Sequence, residues 1–90
     1  MVFVWLGFLN EGAEPDQEVQ VETTSFLQQP FVPIKAAGAL RDGAGKRAGM
    51  MMIFEASDLE AAEALVSNSP FQRAGLYREH HLFEYQNEVG

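Results

Sequence analysis

Two stretches of this chain are apolar at every position, and they restrict the fold more than anything else in it. Residues 2–9 read VFVWLGFL and run into the turn-prone Asn10, Glu11 and Gly12, while residues 50–54 read MMMIF. Bounded runs this short are read as strands, and because strand side chains alternate, each strand is apolar on both faces. In the first, Phe3, Trp5, Gly7 and Leu9 share one face and Val4, Leu6 and Phe8 the other, with Gly7 leaving room beside Trp5. A sheet built on such strands needs cover on two sides. Ninety residues, 47% of them apolar, are expected to form a single domain over 1–90. A domain of that size buries only about 60–65% of its unfolded surface, so part of its apolar surface is expected to meet a second copy, most simply in a symmetric homodimer.

The segments between these runs supply the remaining elements. Pro15 suits the first turn of a helix, Asp16 and Glu18 favour its positive end, and Val19, Thr23, Phe26 and Leu27 recur at helical spacing. Pro30 and Pro33 end that helix, since proline lacks an N–H and crowds the preceding turn. Residues 32–40 read as a second strand, Asp42, Gly43, Ala44 and Gly45 as a hairpin turn, and residues 49–55 as the third strand. Ser57 followed by Glu60 predicts a capping box, with Leu59, Ala62, Leu65 and Val66 as the buried stripe of a second helix that ends over 68–70. After a short turn over 71–75, residues 76–85 make the last strand.

The order is then β-α-β-β-α-β, an α+β ferredoxin-like arrangement with an antiparallel four-stranded sheet and both helices on one face. The second apolar face of the sheet packs against that of another copy, which gives a dimeric α+β barrel.

Charge narrows the partners. A net charge of −7 repels phosphate backbones, and six basic residues without a common helix face argue against nucleic acid. Lys35, Arg41, Lys46 and Arg47 gather around the central turn while Glu11, Glu14, Asp16, Glu18 and Glu22 gather earlier, a polarised field read as solubility and steering between subunits. Without cysteine there is no disulfide, thiolate nucleophile or Cys-based metal site. The opening apolar run is too short for a bilayer and lacks a basic leader, so the expectation is a soluble cytoplasmic protein without membrane contact. Gly43, Gly45 and Gly49 around Lys46 do not make a phosphate loop, because Gly45 and Lys46 are followed by Arg47 where that loop needs a hydroxyl residue.

The stretch AGALRDGAG, a strand running into a charged glycine hairpin, and the stretch SPFQRAGLY, following the second helix, resemble two motifs of the YCII-related family. The resemblance covers roughly the last 50 residues in motif, and the first 36 only in the order of elements. It implies a small dimeric α+β barrel, in some members a cofactor-free enzyme acting on small, often cyclic or aromatic compounds. It also implies a histidine in the first helix and an aspartate before the proline of the second motif. Here the first position falls at Val21 or Glu22, and the second holds Ser69 before Pro70.

With those positions filled otherwise, the acid/base candidates are Glu79 and His81, two residues apart and on one face of the last strand together with Tyr77, Phe83 and Tyr85. A carboxylate beside an imidazole orients the ring and stabilises its protonated form, which suits proton transfer. The same pair also reads as a solvent-facing salt pair on an edge strand. His80 points to the opposite face and reads as packed with one nitrogen satisfied, so the two histidines do not chelate one metal and no metal or other cofactor is expected. Trp5, Met51 and Tyr77 are the candidate lining of a ligand pocket, the methionine run offering an adaptable wall. Two readings stand: a cofactor-free lyase, isomerase or hydrolase acting on a small cyclic compound, and a non-catalytic ligand-binding or structural dimer.

Overall fold

A computed structural model describes residues 1–13, 16–29 and 33–90. Its elements are β1 (Val2–Leu9), α1 (Gln17–Leu27), β2 (Ile34–Arg41), β3 (Arg47–Glu55), α2 (Leu59–Ser67), α3 (Pro70–Arg73) and β4 (Tyr77–Glu84). The four strands form one antiparallel sheet in the order β2-β3-β1-β4, so the two apolar runs lie at its centre, as their composition demands. This is the expected α+β ferredoxin-like fold.

Helix starts follow side-chain chemistry. Asp16 caps α1 by accepting from the Val19 N–H at 2.8 Å, and Asp58 caps α2 by accepting from the Ala61 N–H at 2.8 Å. The capping box expected at Ser57 and Glu60 is not formed: a carboxylate is as competent a cap as a hydroxyl, and Asp58 takes the position, which leaves Ala61 where the box needs Glu or Gln. At the other end of α1, Gln28 is the C-cap; Pro30 lies outside the described residues, as do Pro15 and Glu14. The turn foreseen over 71–75 becomes a single helical turn, α3, with Pro70 in its first turn.

One face of the sheet carries the core. Phe3, Trp5, Met50, Met52 and Phe54 pack against Ala62 and Val66 of α2 and Phe71 of α3, with Phe26 and Leu27 of α1 at the margin. Full burial of such side chains contributes roughly 1.5–3 kcal/mol each. Trp5 is at the centre: it is completely buried, lies 4.9 Å from the Phe71 ring and meets Tyr77 edge-on at 5.2 Å. Gly7 makes that position possible, because a Cβ there would collide with Trp5 Cη2 and sit 2.9 Å from Cζ2. A Cβ at Gly49 would in turn strike the Gly7 carbonyl oxygen, so β3 approaches β1 there as it does only with glycine at position 49.

The opposite face has no element over it among the described residues. Val4 lies between Ile53 and Phe83, Leu6 between Met51 and His81, and all of the apolar ones are partly or largely exposed, Phe83 to 54%. No helix among the described residues is long and apolar enough to cross a membrane.

Three register shifts interrupt the ladders. Lys35 is passed over between Ile34 and Ala36 on β2, Ala48 between Arg47 and Gly49 on β3, and Arg78 between Tyr77 and Glu79 on β4. An extra residue in one strand reverses the face of everything beyond it. The last two shifts lie at the same end of the sheet, and they decide what the functional site contains.

Candidate functional site

Strict alternation along β4 puts Tyr77 on the same face as Glu79 and His81. The shift at Arg78 overturns that placement: Tyr77 pairs with Leu9 and lies on the helix side, while Glu79, His81 and Phe83 lie on the open face. On β3 the shift at Ala48 pairs Arg47 with Arg41 and carries Arg47 to the helix side as well. Tyr77 and Arg47 thereby meet at one cavity.

This cavity, of about 190 Å³, lies between α1 and the β2-β3 edge of the sheet. Gln20, Thr23, Thr24 and Leu27 line it from α1, at spacings of three and four that define one helix face. Ala37, Gly38 and Ala39 line it from β2, small residues that leave the space open, and Met50, Phe71 and Tyr77 supply apolar and aromatic wall. An apolar cavity of about 150 Å³ accommodates benzene, so this one has room for one ring with small substituents.

Each of its polar side chains carries at least one donor, and Arg47 is a donor only. The Arg47 side chain forms no ion pair or hydrogen bond with any described residue. The Thr23 Oγ1 is buried without a hydrogen-bond partner among the described residues. The Tyr77 hydroxyl reaches only the Met50 Sδ, at 3.9 Å, a weak acceptor. Burial pushes the Tyr77 phenol above the ordinary tyrosine range, an effect the neighbouring Arg47 charge partly opposes, so the phenol keeps its proton at neutral pH. No carboxylate or imidazole lines the cavity among the described residues.

The other candidate residues are elsewhere. Glu79 Oε2 and His81 Nε2 are 3.0 Å apart on the open face, with side chains 48% and 44% exposed, and Arg78 shares the carboxylate at 3.6 Å. His81 stacks on Phe83 at 5.9 Å and meets Phe8 edge-on at 6.4 Å. Of the expected pocket residues, Tyr77 lines the cavity, Trp5 lies beneath it as core, and Met51 faces away while its neighbour Met50 faces in. His80 stacks over Trp5 at 6.1 Å with Nε2 held 3.2 Å from the Gln72 amide, so one nitrogen is satisfied as expected, but the residue is exposed where a packed one was expected. Among the described residues no group of three His, Asp or Glu side chains is placed to hold a metal.

The structure also locates the positions at which the resemblance implies histidine and aspartate. Val21 and Glu22 are exposed and off the α1 face that lines the cavity. Ser69 is fully buried, and its hydroxyl donates to the Val66 carbonyl at 2.5 Å, so it is occupied structurally. Reasoning from sequence missed Arg47 and Thr23 as site residues; the helical spacing of Gln20, Thr23, Thr24 and Leu27 was a signal for the second and nothing local was a signal for the first.

Three solved structures share the fold. A 5-chloro-2-hydroxyhydroquinone dehydrochlorinase, TftG, from Burkholderia phenoliruptrix AC1100, in complex with 2,5-dihydroxybenzoquinone, is 21% identical with a TM-score of 0.76, over 98% of this chain and 96% of that one. A mutant of SnoaB, a cofactor-independent oxygenase from Streptomyces nogalater, is 20% identical with a TM-score of 0.54, over 98% and 94%. A hypothetical protein of Arabidopsis thaliana is 16% identical with a TM-score of 0.55, over 99% and 88%. No curated protein matches this chain. The YCII-related domain model matches residues 1–86, so the match extends through the first strand and helix, where no motif was legible, and the chain belongs to the YCII-related family.

Proposed function

We propose that the protein is a homodimer, closed by the open sheet faces of two copies, in which each protomer takes a small cyclic or aromatic compound into the helix-side cavity and acts on it without a cofactor. The observation that carries this reading is the cavity itself: room for one ring, aromatic and methionine walls, and Thr23, Arg47 and Tyr77 as polar groups at its lining. Such donors stabilise negative charge that develops on a ring oxygen as a neighbouring bond breaks, the service a lyase or isomerase needs. The fold neighbours support the class of compound, since one is a dehydrochlorinase holding a dihydroxybenzoquinone and another a cofactor-independent oxygenase. Homodimerisation is supported by the two centrally placed strands whose second face, from Val4 and Leu6 across to Met51 and Ile53, is left without cover in one chain.

A second reading, a dimer that binds such a compound without converting it, is favoured by one specific observation. The residues standing where family resemblance implies histidine and aspartate supply no base to the cavity: Glu22 is exposed on another face of α1 and Ser69 is locked to Val66.

The experiment uses 2,5-dihydroxybenzoquinone for binding and 5-chloro-2-hydroxyhydroquinone for turnover, read as chloride release. We expect saturable binding with amide shifts at Thr23, Ala39 and Tyr77, and chloride release that falls at least about tenfold in Tyr77→Phe, the loss of one donor to a developing oxyanion. Because His81 lies on the opposite sheet face, His81→Ala should leave kcat/KM within about twofold, whereas a collapse of turnover in that variant would place the chemistry at the Glu79–His81 pair in the dimer seam. Binding without chloride release selects the second reading. No binding rejects the cavity as the site.

A further inference from the structure

We infer that the helix-side cavity selects a ring compound that enters as its anion, a phenolate or enolate whose charged oxygen sits against Arg47, Tyr77 and Thr23. This rests on the cavity being the ligand site and specifies the chemical form of what it holds.

Several donors at the lining lack a protein acceptor. Arg47, exposed at the rim, brings five N–H groups with no described partner, Thr23 a buried hydroxyl with none, and Tyr77 a phenol proton spent on a sulfur 3.9 Å away. A buried hydroxyl without a partner is costly to maintain, and an ionised oxygen is the ligand group that accepts several hydrogen bonds at once. A neutral phenol or ketone satisfies fewer of these donors and neutralises no charge.

The charge distribution points the same way. The chain is acidic overall, at −7, yet the one charged group lining this cavity among the described residues is a cation. Lys35 is paired with Glu55 at 3.5 Å, Arg78 with Glu79, and Arg41 is turned onto the Gly45 carbonyl at 2.9 Å. Arg47 remains available. Both it and Tyr77 reach the helix side through ladder interruptions, at Ala48 and Arg78, on the two strands that lie either side of β1. Bulges re-aim side chains at a cost in ladder hydrogen bonds, and here two of them aim at one space.

The ring follows from the walls. Phe71, Tyr77 and Met50 offer flat, polarisable surface, and about 190 Å³ leaves room for one ring with small substituents. An anion that is already formed also needs no base, which matches a cavity lined by none among the described residues. The acidity of the compound takes over what a histidine would do.

The test uses 4-nitrophenol, whose anion absorbs in the visible, against its neutral isostere nitrobenzene and against 4-nitrobenzoate. With wild-type protein at the pH where half of the free nitrophenol is ionised, binding should raise the anion absorbance, the apparent pKa of bound nitrophenol falling by about one unit as the anion binds about tenfold tighter than the neutral phenol. Nitrobenzene should bind at least about tenfold more weakly than the phenolate. Arg47→Met should remove the preference for the anion and leave nitrobenzene affinity unchanged, while Arg47→Lys restores part of it; thermal melting confirms that both variants fold. Equal affinity for nitrobenzene and nitrophenol, or a fall in anion absorbance on binding, overturns the inference while leaving the cavity as the ligand site. Tighter binding of 4-nitrobenzoate than of the phenolate overturns the assignment of the charge to a ring oxygen. If no probe binds, the cavity reading fails with it.

Discussion

Trp5→Ala is expected to lower the unfolding free energy by about 3–5 kcal/mol, the range for truncating a large buried aromatic, out of the roughly 5–15 kcal/mol that holds a typical domain together. Trp5 has no exposure, touches Phe71, Tyr77 and His80, and joins the central strand to both the helices and the last strand. Gly7, the residue that makes room for the indole, has no side chain to extend into the space left behind. The loss should reach the ligand cavity too, since Phe71 and Tyr77 lean on Trp5 and would settle inward without it. Urea unfolding followed by circular dichroism tests this, the sole tryptophan being the residue removed; a shift in midpoint at unchanged slope worth less than about 1 kcal/mol would contradict the central role given to Trp5. Trp5→Phe should cost less, because it keeps most of the ring area and removes an indole N–H that is buried without a partner. Gly7→Ala should be harmful beside Trp5 and less so beside phenylalanine, a non-additivity expected of side chains in contact.

Val4→Asp should convert the proposed dimer to monomers. Val4 stands on the open face between Ile53 and Phe83, with no cation as a direct cross-strand neighbour, so an aspartate there would be carried unpaired into the seam between two sheets. Burying an unpaired charge costs several kcal/mol, which weakens association by at least about a hundredfold. Sedimentation velocity at micromolar concentration reads the outcome directly. Val21→Asp is the control, since Val21 is 62% exposed on the outer side of α1 and should leave the dimer intact. A wild-type protein that already sediments as a monomer would remove the basis for the dimer, and a Val4→Asp dimer of wild-type strength would place its interface elsewhere.

Much of this molecule was legible without coordinates. The unbroken apolar runs could only be central strands, Gly7 could only be room for Trp5, and the glycines after Asp42 could only be a turn, because each follows from alternation, volume or backbone freedom within a few residues. Where two local answers were equally good, the choice was open: Ser57 and Asp58 can each cap a helix, and the carboxylate took the place.

The site was legible only in part, for a reason of period. Side-chain direction along a strand depends on counting by twos, and one extra residue reverses it. From the sequence, Tyr77 falls in step with Glu79 and His81, and Arg47 is one basic residue of a hairpin among several. Whether Arg78 is paired or passed over is settled by β1, far away in the chain, and whether Ala48 is by its pairing with β2 across the hairpin. Local patterning was enough for the four strands, the two longer helices, the two-sided demand for cover and the family. Tertiary pairing alone decided that Tyr77 and Arg47 turn inward to share a cavity while Glu79 and His81 are left on the opposite face, because register is a property of two strands and cannot be read from one.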